Sequence, residues 1–124
     1  KIAMKWYTLA AEQGNASAQY NLGWMYDNGE GVPQDYKIAV EWYTLAAEQG
    51  NAGAQYNLGW MFYIGEGVIQ DNVYAHMWWN FVASSGDQDA VEMRDKVAGR
   101  MTPSEIAEAQ ELARECVRKE YKGC

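Results

Sequence analysis

A repeat of 36 residues constrains this chain more than any other feature of its sequence. Lys1–Tyr36 aligns with Lys37–Asn72 with only eight differences: Met4/Val40, Lys5/Glu41, Ser17/Gly53, Tyr26/Phe62, Asp27/Tyr63, Asn28/Ile64, Pro33/Ile69 and Tyr36/Asn72. A third, weaker copy keeps the register, with Ala75, Trp78, Ala83, Gly86 and Ala90 in the places of Ala39, Trp42, Ala47, Gly50 and Ala54. A fixed period of this length marks a stacked array, in which each unit buries its apolar face against the next.

The period resolves into two helices per unit. Asp35 suits a helix N-cap, because its carboxylate can accept the orphan amides of a first turn. Ala39, Trp42, Tyr43, Ala46 and Ala47 then fall at i, i+3, i+4, i+7 and i+8, an apolar stripe along one side of a helix. Gly50 suits a left-handed C-cap and Asn51 the cap of a second helix. That second helix carries Ala54, Leu58, Met61 and Phe62 on one face; Gly65 ends it and Gly67 turns the chain toward Asp71.

The Gly-Glu-Gly stretches at 29–31 and 65–67 invite a phosphate-loop reading. A dinucleotide fingerprint needs a strand before it, a third glycine three residues on and a helix opening behind. None is present, and a loop that recurs once per unit reads as a chain reversal. Gly23 and Gly59 differ, since they fall within predicted helices, where glycine costs about 1 kcal/mol relative to alanine. Their recurrence predicts a close approach, by a neighbouring helix or by the rings of Trp6 and Trp42.

A net charge of −7 and a pI near 4.6 argue against nucleic acid or an anionic membrane surface as partner. No apolar run reaches the eighteen or so residues of a membrane span. Cys116 and Cys124, with a lone His76 distant in sequence, make no metal-ligand spacing.

Ala39, Trp42, Ala46-Ala47, Gly50, Ala54, Leu58-Gly59, Gly65-x-Gly67-Val68 and Asp71 together resemble the Sel-1-like repeat, a relative of the tetratricopeptide repeat. The resemblance covers Lys1 to about Ala90. It implies an all-α fold, a right-handed α-α superhelix, and a role as adaptor or scaffold in protein complexes. Such proteins are common in bacterial signalling, secretion and envelope systems. The expected organisation is three helix hairpins over 1–34, 35–70 and 71–101, with a capping helix and tail over 102–124.

Past Ala90 the pattern breaks, with Arg94 and Val97 in the places of Leu58 and Met61. Thr102, Pro103 and Glu105 then form a capping box that opens a final helix. Its apolar stripe is Ile106, Ala109, Leu112, Ala113, Cys116 and Val117, as expected of a helix that closes a solenoid. At the other end, Lys1-Ile2 aligns with Lys37-Ile38, so the sequence enters inside a repeat. It is expected to be part of a longer array, with its first hairpin exposed and prone to end-to-end self-association. Cys116 and Cys124 leave two readings open. They bridge, given a helix end near Tyr121 and a periplasmic or secreted setting, or Cys116 is a small buried hydrophobe in a cytosolic protein.

In tetratricopeptide-like arrays the first helices line the concave face. Away from the packing stripe this places Lys37, Val40, Glu41, Thr44 and Glu48, with counterparts Lys1, Met4, Lys5, Thr8, Glu12, His76, Met77 and Asn80. Three helices at 8–10 Å spacing span roughly 20 Å, room for about six extended residues. Tyr63-Ile64, where the first copy has Asp27-Asn28, marks a further candidate contact. His76 reads as a surface or partly packed residue, for no nucleophile and orienting carboxylate accompany it. A cysteine-rich branch of the family is associated with weak penicillin binding or hydrolysis, but that branch's cysteines and an SxxK nucleophile motif are both missing here. The reading is a non-enzymatic protein- or peptide-binding scaffold without cofactor or metal. A hydrolase and a structural spacer are the alternatives.

Overall fold

Capping side chains set where every helix after the first starts. Asn15 Oδ1 accepts from the Ala18 amide at 2.8 Å, Asn51 from Ala54 at 2.9 Å and Asp87 from Ala90 at 2.9 Å. Asp35 and Asp71 do the same for the first helices of their units, through Ile38 and through Val73 and Tyr74. At the last helix both halves of the capping box are made: Thr102 Oγ1 accepts from the Glu105 amide, and Glu105 Oε1 from the Thr102 amide. Each of these side chains satisfies an amide that the helix itself leaves without a partner.

The computed structural model describes residues 2–124, with side chains from Met4 onward. The described residues form seven helices and no strand: α1 Ile2–Glu12, α2 Ala16–Asn28, α3 Tyr36–Ala47, α4 Ala52–Ile64, α5 Asn72–Ser84, α6 Gln88–Ala98 and α7 Pro103–Arg118. Helices α1/α2, α3/α4 and α5/α6 pack as hairpins, and each second helix packs against the first helix of the next hairpin. The result is an all-α solenoid closed by α7.

The joint between hairpins explains the mid-helix glycines. A Cβ on Gly23 would stand 2.6 Å from Cδ1 of Tyr43, and one on Gly59 would overlap the indole of Trp79. Tyr43 and Trp79 are fully buried. The expectation of a close approach holds, but the rings differ from those expected. Trp6 is 67% exposed, and Trp42 packs instead on the cluster of Ala11, Ala18 and Leu22 in the preceding hairpin. The ring one residue further along each first helix faces the glycine.

Two buried glutamines tie the halves of a hairpin together. Gln19 Nε2 donates to the Ala11 carbonyl and Gln55 Nε2 to the Ala47 carbonyl, both at 3.1 Å. They add a second donor to carbonyls at the ends of α1 and α3 that also accept from the Gly14 and Gly50 amides of the following turns.

Helix α7 lies along α5. Ala109 joins Ala75, Trp79 and Val97 in one apolar cluster, while Ala113 joins Met77 and Trp78 in another. A disulfide links Cys116 to Cys124, with Cα atoms 5.7 Å apart. It folds the tail back so that Tyr121 meets Phe81 edge-on, ring centroids 5.1 Å apart. Val117 departs from the expected stripe. It is 56% exposed, because the inward row of α7 runs through Ala109, Ala113 and Cys116 and leaves the next residue at the open side.

Candidate interaction surface

Most of the recurring apolar stripe is spent on packing. Ala39, Tyr43, Ala46, Ala47, Ala54, Leu58 and Met61 are all buried, and none of them is available to a ligand. The outward side of the first helices is left exposed beside the joints. On α3 the exposed positions are Lys37, Glu41 and Leu45, one turn apart; on α1 they include Lys5 and Leu9. Leu9 and Leu45 are 43% and 45% exposed and occupy the same position in successive units.

The seven residues expected to form a concave binding strip are therefore not equivalent. Lys37 and Glu41 are exposed. Val40 is half-buried against the return loop, close to where a Cβ on Gly67 would stand. Thr44 turns its hydroxyl onto the Val40 carbonyl at 2.7 Å. Glu48 Oε2 accepts from the Gly123 amide at 2.9 Å, so the chain's own tail already engages it. Asn80 Oδ1 accepts from Arg94 Nη1 at 3.2 Å. His76 is only 4% exposed, which corrects its expected place on or near the surface. Lys1 lies outside the described residues.

Burial, reinforced by the nearby Arg94 guanidinium and partly opposed by Asp95, holds the His76 imidazole below its ordinary pKa. Its Nδ1 is buried without a protein hydrogen-bond partner. A neutral imidazole with no orienting carboxylate bonded to it is a poor general base. Among the described residues no cluster of three or more His, Cys, Asp or Glu is placed to hold a metal, and no helix is long and apolar enough to cross a membrane.

Sequence reading passed over Leu9 and Leu45. Their signal was present: an apolar residue kept in both copies yet outside the stripe of Ala39, Trp42, Tyr43, Ala46 and Ala47. The third unit changes that row in an informative way. Met77 replaces Lys5 and Glu41, Phe81 replaces Leu9 and Leu45, and α7 with the tail buries Met77 and half-covers Phe81. Of the other candidate pair, Tyr63 is held between Trp60 and Trp79 with Arg100 5.5 Å over its ring, whereas Ile64 is exposed.

The Sel1 repeat family model matches residues 1–15, 16–51 and 52–87. The chain belongs to the Sel1 repeat family. The match sets its boundaries one helix later than the hairpins do, so each family unit runs from a second helix to the next first helix. Such repeats generally mediate protein interactions, and the fold is typical of non-enzymatic scaffolds. Among solved structures, the chain is similar to a protective antigen of uropathogenic Escherichia coli strains that displays an SLR fold. That pair shares 30% identity over 95% of this chain, with a TM-score of 0.88, and this chain spans only 26% of the antigen's length. A Sel1 repeat protein from Oxalobacter formigenes is 39% identical over 74% of this chain and 69% of its own, with a TM-score of 0.71. No curated protein matches the sequence.

Proposed function

We propose that the chain is a non-enzymatic protein- or peptide-interaction module, a scaffold segment within a longer Sel1 repeat array. The observation that carries this reading is the division of labour along the first helices. Ala39, Tyr43, Ala46 and Ala47 of the recurring stripe are buried, while Leu9 and Leu45 recur off the stripe and stay exposed beside Lys5, Lys37 and Glu41. An exposed leucine among charges, repeated in successive units, suits an extended segment with apolar side chains at matching intervals. In the third unit α7 and the tail pack on the same row, and Gly123 of the tail bonds Glu48 at the end of α3 in the second unit. That contact has the form of a peptide backbone received by a side chain of this face.

A photo-reactive residue at Glu41 and another at Ala52, exposed on α4, test the reading in the full-length parent protein. Partner cross-links are expected from position 41 and not from 52. Equal labelling from both positions contradicts the proposal.

A further inference from the structure

The charge of the chain is unevenly distributed. Residues 1–93 carry three Lys and eleven Asp or Glu, a net −8, while residues 94–124 carry seven Lys or Arg and six Asp or Glu, a net +1. An open groove of about 600 Å³ lies between α5 and α7 in that relatively basic region. This volume falls in the range of small-ligand and peptide side-chain sites.

The groove has an apolar centre and a rim rich in donors. Phe81 and Ala113 line it together with Val117, the apolar residue of α7 that points outward. Arg114 and Arg118 stand on the rim, and no carboxylate lines it. Both guanidiniums bond Glu111, outside the lining, at 2.7 and 3.4 Å, and they hold its carboxyl below the usual carboxylate range. Each guanidinium has five N–H donors, so donors remain on both. Across the groove the Asn80 carbonyl oxygen already accepts from Arg94, which leaves the amide N–H groups of Asn80 to a ligand. A surface that offers donors and an apolar floor selects a ligand that supplies acceptors and an apolar side chain.

We propose that the α5/α7 groove binds a short acidic peptide segment, seating an apolar side chain between Phe81 and Val117 and a carboxylate on Arg114 and Arg118. This rests on the scaffold reading and adds a second recognition site, distinct from the row of Lys37, Glu41 and Leu45. Planar guanidiniums receive carboxylates bidentately, which fixes orientation as well as affinity. Rim charges of this kind act on association rate and salt dependence.

The test is fluorescence polarisation of a labelled peptide of alternating leucine and glutamate on the disulfide-intact chain. Leucine–lysine and serine–glutamate peptides of equal length are the controls. The leucine–glutamate peptide is expected to bind, each control about tenfold weaker, with affinity falling as salt rises. Arg114→Gln with Arg118→Gln should weaken binding about tenfold, as should Val117→Asp alone. These side chains are exposed, and exposed ion pairs contribute little to stability, so helicity and melting temperature should stay as in the parent. Absence of binding at millimolar peptide overturns the proposal, as does equal binding of the lysine peptide. So does binding lost in Leu45→Glu and kept in the groove variants, although the scaffold reading then survives. A dimer that the groove variants dissolve assigns the groove to a second copy and overturns the peptide. Failure of the scaffold reading shows separately, as unselective cross-linking from positions 41 and 52.

Discussion

An alanine methyl at Gly59 would fall inside the indole of Trp79, whose Nε1 is pinned at 3.0 Å to the Tyr56 carbonyl. Overpacking a well-filled core costs about 1–3 kcal/mol, against about 1 kcal/mol gained in helix propensity. Since Trp79 is fully buried and hydrogen-bonded, the overlap should win. Gly59→Ala is therefore expected to lower stability by up to about 2 kcal/mol in chemical denaturation, and a stabilised variant contradicts the joint. His76 supplies a pH dependence at the same scale. Its folded pKa is depressed, so the unfolded chain takes up the proton first as pH falls. The neutral ring's contribution is complete above the ordinary value near 6.5 and diminishes as pH drops below it toward the folded pKa. His76→Val, which restores the residue found at position 40, should flatten the loss of stability just below pH 6.5. An unchanged pH profile means that the burial of His76 is not felt energetically.

Among the elements, α7 and its tail depend most on a single covalent link. The Cys116–Cys124 bridge closes a short loop, a constraint worth about 2 kcal/mol in the chain-entropy picture. Reduction by a dithiol should speed amide exchange at the C-terminal end of α7 and around Glu48, while α3 and α4 elsewhere keep their protection. Uniform protection after reduction shows that packing alone holds the tail. Gln55 is the corresponding device inside a hairpin. Gln55→Ala removes one of two donors to the Ala47 carbonyl, which keeps the Gly50 amide, and should cost about 1 kcal/mol; no loss at all shows that water replaces the glutamine amide. Helix pairs, caps and the capping box were legible in the sequence, because Asp35, Asn51 and Thr102 act on amides within their own turn. The placement of Tyr43 and Trp79 was not, because spacing along one helix gives its apolar side and not which ring meets the next helix. The burial of His76 was hidden for a related reason. Nothing local to α5 says that α7 folds along it, although Met77 in place of Lys5 and Glu41 was a sign that this row becomes covered.

For the whole molecule, repetition in the sequence becomes continuity in the core, and the surface between recurring contacts is what differs from unit to unit. The hairpin stack followed from the period. The placing of a candidate interaction surface on the first helices came from the likeness to tetratricopeptide-like arrays, and the residues free to form one differ from those expected, since Glu48, Thr44 and Asn80 are bonded to the protein itself while Leu9 and Leu45 are exposed. The decisive measurement is partner capture by a Leu9→Glu/Leu45→Glu variant of the full-length protein whose melting temperature matches the parent. Recognition through the first helices predicts lost capture on an intact fold; capture kept at full strength on that fold rules it out.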